Sequence, residues 1–105
     1  MDEIVIRKAT DDDTPRISDL WTELVAYHRE IDTALPEKAS GGAERYARRM
    51  REQMDDSFSH ILVAEHDDVI IGFVLGLVID LIPDMFIQHP TGFLADIYVR
   101  PDYRR

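Results

Sequence analysis

The segment Phe93–Val99 alternates as only an extended strand does, with Phe93, Ala95, Ile97 and Val99 on one side and Leu94, Asp96 and Tyr98 on the other. The first side is wholly apolar and is expected to be buried. Pro101 follows two residues later; it has no N–H for a ladder and fixes its own φ. The strand must therefore end near Arg100, where the chain turns into Asp102-Tyr103-Arg104-Arg105. Asp96 is the odd residue, since a carboxylate in mid-strand needs either a partner or a task.

The preceding chain supplies the other layers. Glu3 to Ala9 reads as a short first strand, with Ile4 and Ile6 opposite Val5 and Arg7. The run Thr10-Asp11-Asp12-Asp13-Thr14-Pro15 offers N-cap residues, a first-turn proline and negative charge, so a helix is expected from about Thr14. Its stripe is Ile17, Leu20, Trp21, Leu24 and Val25, with Tyr27 and His28 behind. Residues 30–42 carry loop chemistry, including Asp32, Pro36 and two glycines. A second helix follows from about Gly42 to Met54, with Ala43, Tyr46, Ala47, Met50 and Met54 on one face. Its four arginines read as a solvated face pairing with nearby acidic residues.

His60–His66 and the stretch from Val69 to about Leu81 form a hairpin around Asp67-Asp68, and Gly72 and Gly76 mark a bulge or a close backbone approach. The connection from Asp80 to Gly92 exposes Met85 and Phe86, which suit a substrate pocket, a dimer contact or simple packing on the sheet. The element order is strand, helix, helix, strand, strand, strand.

With 105 residues, 45% of them hydrophobic, there is material for one core and one globular domain or part of one. Cysteine is absent, which excludes disulfides and thiolate metal sites and suits a reducing cytoplasm. The four histidines are scattered, so no metal site is expected. No apolar run reaches membrane-spanning length, and the N-terminus has no signal-peptide pattern. A net charge of −9 disfavours a nucleic-acid partner and favours a cationic small molecule.

Ile97-Tyr98-Val99-Arg100-Pro101-Asp102-Tyr103-Arg104-Arg105 resembles the entry to the acetyl-CoA site of the GCN5-related N-acetyltransferase (GNAT) superfamily, hydrophobic-x-Val-x-Pro-x-aromatic-Arg before a Gly-rich turn. The element order is also the one with which such domains begin. The resemblance implies an α+β fold, a mostly antiparallel sheet of four strands with two N-terminal helices on it. It also implies that residues 1–105 are the N-terminal portion of the domain, ending before the helix that meets the cofactor phosphates. It assigns acetyl-CoA as co-substrate and an amine of a small molecule or a lysine as acceptor. Ile97 and Val99 inherit backbone contacts to the pantetheine amides, and Arg104 and Arg105 open the pyrophosphate turn. Tyr27, His28 and Asp32 fall in a region that often walls the acceptor site, although His28 reads better as a core-edge histidine, and Phe86 is a further substrate candidate.

Acetyl transfer to an amine needs a neutral nitrogen, yet an alkylamine of pKa about 10.4 is neutral in only about one molecule in two thousand at pH 7. Asp96 is the candidate to remove that proton, directly or through water. Several relatives carry glutamate where Ala95 stands, so direct base catalysis is not secured, and a purely structural Asp96 is the alternative. Tyr98 faces the same side, either lining the acceptor channel or packing with its hydroxyl at the rim. Without the Gly-rich turn the chain is expected to be inactive, with a cofactor affinity weakened from micromolar to millimolar or beyond. Its last strand is expected to be a free edge that favours self-association as a homodimer. A non-catalytic binding or dimerisation module with the same sheet is the rival reading.

Overall fold

The computed structural model describes residues 3–79 and 82–104. Four strands, β1 (Ile4–Lys8), β2 (Ser59–His66), β3 (Val69–Ile79) and β4 (Thr91–Val99), form one antiparallel sheet in the order β1-β2-β3-β4. The helices α1 (Thr14–Ile31) and α2 (Gly42–Met54) lie together on one face of it. This is the α+β arrangement that the sequence implies.

Local chemistry explains the boundaries. Ahead of α1, a 3-10 turn over Asp11–Asp13 closes with the Thr10 N–H donating to Asp13 Oδ2 at 2.7 Å. Arg7 of β1 grips the same carboxylate at 2.7 and 2.9 Å and also bonds Glu65 of β2, so one guanidinium joins the helix start to two strands. Between β2 and β3, Asp67 and Asp68 take φ of 52° and 64°, the left-handed pair that a two-residue hairpin requires. At Gly72 an added Cβ would lie 2.9 Å from the Tyr98 carbonyl, so β3 and β4 approach closely where the side chain is missing.

The core lies between helices and sheet: Ile17, Leu20 and Leu24 of α1, Tyr46 and Met50 of α2, and Ile61, Val63, Phe73 and Leu75 of the strands. Tyr98 of β4 joins it. The expected burial of the Phe93, Ala95, Ile97 and Val99 side is not what the fold adopts. Phe93 is 52% and Ile97 56% exposed, whereas Tyr98 is 5% exposed. Pairing with β3 decides the sides, and a β-bulge separates the phase of residues 96–99 from that of residues 91–94. Leu75 pairs with Asp96 but Gly76 pairs with Leu94, which leaves Ala95 as an extra residue and breaks the alternation. Asp96 and Tyr98 therefore point at the helices, beside Leu75 and Phe73, while Ile97 and Val99 face outward with Val74 and Gly72. The outer face bears a shallow apolar groove of about 170 Å³ lined by Ile6, Leu62, Val74 and Ile97 among others.

Candidate active site

Among the described residues β4 pairs with β3 alone, which leaves its other side a free edge. The Arg100 N–H bonds the Ile71 carbonyl at 2.9 Å, and register carries the pattern back along the strand. Tyr98 and Asp96 occupy bonded positions opposite Phe73 and Leu75, so Ile97 and Val99 turn their N–H and C=O away from β3. The Arg104 side chain reaches back and donates from Nε to that outward Val99 carbonyl.

The C-terminal part of α1 stands over this edge. Leu24, Tyr27 and His28 of α1, Ile97, Tyr98 and Val99 of β4, and Arg104 line a cleft of about 280 Å³. The Arg104 guanidinium lies 5.0 Å from the ring centres of both Tyr27 and Tyr98. The Tyr98 hydroxyl donates to Glu23 Oε1 at 3.2 Å, and the same carboxylate is 3.6 Å from Arg100 Nε. Burial, reinforced by the Glu23 charge, pushes the Tyr98 phenol above its ordinary value.

Asp96 sits just along the strand. The Tyr46 hydroxyl donates to its Oδ2 at 2.7 Å, and Tyr46 is itself fixed by a stack on Trp21 (centroids 4.8 Å apart, planes at 11°) and an edge contact with Phe73. Burial first, and then the Asp96 carboxylate, raise the Tyr46 phenol well above the usual tyrosine value. Tyr46 is thus a permanent donor at neutral pH. The second oxygen, Asp96 Oδ1, has no protein hydrogen bond among the described residues.

Six of the expected residues converge on the cleft: Tyr27, His28, Ile97, Tyr98, Val99 and Arg104. His28 is exposed rather than at the core edge, because the α1 stripe rotates to solvent after Leu24. Asp32 is used locally, its Oδ1 accepting the Ala34 N–H at 2.9 Å in a turn after α1. Phe86 is 62% exposed in the 82–90 loop, where its N–H bonds the Pro83 carbonyl, and it does not line the cleft. Arg105 lies outside the described residues. Among the described residues no cluster of three His, Asp or Glu side chains is placed to hold a metal ion.

The profile of the acetyltransferase (GNAT) family matches residues 18–105. The chain belongs to the GNAT family. No curated protein sequence matches it. Among solved structures, this GNAT chain is similar to an acetyltransferase from Vibrio fischeri, at 27% identity and a TM-score of 0.76, covering 96% of the chain and 73% of that structure. It is also similar in fold to a predicted acetyltransferase with acetyl-CoA from Clostridium acetobutylicum, at 17% identity and TM-score 0.69, with 97% and 63% covered. A third is the aminoglycoside N-acetyltransferase AAC(6′)-Iy in complex with CoA, at 17% and 0.69, with 100% and 60% covered. The chain thus spans 60 to 73% of the length of these structures.

Three residues beside the candidate site escape a reading of the sequence. Tyr46, Trp21 and Glu23 look like stripe or surface positions of two helices, and nothing in their spacing points to β4. The one available signal is Asp96 itself, whose mid-strand carboxylate requires a donor, with Tyr46 the only hydroxyl on the apolar face of α2.

Proposed function

We propose that the complete protein transfers an acetyl group from acetyl-CoA to a primary amine of a small molecule or a lysine, with Asp96 taking the amine proton. The carrying observation is the edge of β4. Ile97 and Val99 present outward N–H and C=O groups two residues apart, the spacing with which an added extended chain is held, and pantetheine is an extended chain with two amides. These backbone groups hold the pantetheine arm, and Arg104 lies where the diphosphate turn begins. Arg105, outside the described residues, is the second arginine proposed for the phosphates.

Bound acetyl-CoA supplies a thioester acyl group open to attack by a neutral amine. The chain's own residues prepare the amine. Asp96 Oδ1 accepts its proton, directly or through one water, while Tyr46 holds Oδ2 and fixes the carboxylate's orientation. The bulge at Ala95 releases backbone groups from the ladder beside this point, a source of donors for developing negative charge on oxygen. Tyr98, kept protonated, lines the passage with Tyr27 and His28; Asp32 and Phe86 contribute through their loops at most. The protein works in the cytoplasm, and the 105-residue chain by itself, with no pantetheine along the β4 edge, covers that edge by self-association as a homodimer.

A titration of the protein with pantetheine, followed by amide NMR, tests the reading. Ile97 and Val99 amides are expected to shift at millimolar ligand, with the ladder-bonded Tyr98 amide moving less. Shifts confined to β1 or the hairpin would overturn it.

A further inference from the structure

Helix α2 carries arginines at positions 45, 48, 49 and 51. Arg51 alone of the four makes a side-chain hydrogen bond or ion pair among the described residues, to Thr14 Oγ1 at 3.0 Å. The expected pairing of this face with nearby carboxylates is therefore not found, although the chain has 21 acidic residues to offer. Unpaired guanidinium groups on so acidic a protein call for a reason.

Two of them flank a pocket. Between the 36–39 loop, α1 and α2 lies a cavity of about 330 Å³ whose lining includes the stacked Trp21 and Tyr46. Lys38, Arg45 and Arg49 are the cations of its lining, and Glu37 is the one carboxylate. Lys38 is held close, since a Cβ on Gly42 would come within 3.0 Å of its Cγ. Tyr46 links this pocket to the candidate site, because its ring forms part of the wall while its hydroxyl bonds Asp96.

We propose that this pocket binds an oxyanion, carboxylate or phosphate, carried by a small amine with an apolar body. Planar guanidinium forks match oxyanion geometry, and the flat Trp21 and Tyr46 rings take the apolar part. The amine end then lies toward Asp96; this last step rests on the transferase reading, whereas the oxyanion pocket does not. It refines the expectation drawn from net charge: the acceptor is cationic at its nucleophile and anionic at its far end.

Trp21 is the single tryptophan of the chain, so its fluorescence reports on the pocket. The protein is titrated with 6-aminohexanoate and pentylamine, which differ by one carboxylate at the end far from the amine, and with O-phosphoethanolamine and ethanolamine, which differ by one phosphate. At least one oxyanion-bearing member should bind about tenfold or more tightly than the simple amine it is paired with, and the better pair names the oxyanion. Arg49→Gln and Arg45→Gln should each weaken that binding about tenfold, while Arg48→Gln, which removes the same charge outside the pocket, should leave it unchanged. Circular dichroism of each variant separates lost binding from lost fold. Equal binding within both pairs, no binding at all, or an equal loss in Arg48→Gln would overturn the proposal. If Trp21 stays silent while the Ile97 and Val99 amides answer pantetheine, this proposal falls and the transferase reading stands; the reverse pattern separates them the other way.

Discussion

Tyr46 and Asp96, 50 residues apart in the chain, meet in a 2.7 Å hydrogen bond that pins helix α2 to strand β4 at the proposed site of proton transfer. The two members of this pair have separable roles. Asp96→Asn keeps an oxygen to accept from Tyr46 and so should cost less than about 1 kcal/mol of stability, yet it removes the base and should lower acetyl transfer at least about a hundredfold. Tyr46→Phe should do the opposite, losing about 1–2 kcal/mol because a half-buried carboxylate loses its donor, with a smaller effect on turnover. Denaturant unfolding and an acetylation assay by mass spectrometry on both variants of the complete protein decide between a working and a merely structural Asp96.

The Arg7 guanidinium holds the Asp13 carboxyl down to about 2 from an ordinary 3.8. A lowered folded value means that the stabilisation is fully present above the unfolded value and is lost as pH falls through the folded one, here from roughly pH 4 to pH 2. At pH 7 Asp13→Asn should therefore unfold more easily by about 2 kcal/mol, and the two proteins should converge near pH 2. Urea midpoints measured at both pH values check it.

Gly72 and Gly76 make a matched pair. A Cβ at Gly72 would press on the Tyr98 carbonyl at 2.9 Å and on Val99 Cγ2 at 3.2 Å, so Gly72→Ala must push β4 away at a cost of about 1–3 kcal/mol. At Gly76 the nearest atom is His60 O at 3.9 Å, and Gly76→Ala should be within about 0.5 kcal/mol of the parent. Thermal melts that rank the two in the other order would show that the β3–β4 approach is not tight.

Self-association follows from the unpaired side of β4 and the exposed Ile97 beside it. Sedimentation equilibrium should show a reversible dimer at tens of micromolar protein, weakened by Ile97→Lys, which places a charge on that apolar border. A monomer across the whole concentration range would remove the dimer from the proposal.

Much of this architecture is legible from local signals. The bounds of α2, the Asp67-Asp68 hairpin, the onset of α1 at Thr14 and the halt before Pro101 all rest on caps, turn residues and periodicity, which act over a few residues. The meeting of Tyr27, His28, Ile97, Tyr98, Val99 and Arg104 in one cleft follows from the family resemblance rather than from spacing. What stayed hidden depends on contacts distant in sequence. Which side of β4 faces the helices is decided by pairing with β3, so alternation within β4 alone assigned its two sides wrongly. Arg7 reaching Asp13 and Glu65, Tyr46 reaching Asp96, and the unpaired Arg45 and Arg49 are likewise products of packing. Asp32 shows the converse limit, since an Asp just past a helix is as well used by its own turn as by a ligand.

The surplus residue at position 95 divides β4 into two halves that count parity independently. Lengthening or shortening the segment before it by one amino acid would exchange inner for outer among residues 91–94, yet the phase of Asp96 to Val99 is set by Pro101 and by pairing with Phe73 and Leu75. The business end of the strand is in this way insulated from drift in the loop that feeds it, leaving that loop at liberty to vary in length while the chemistry beyond it keeps its aim.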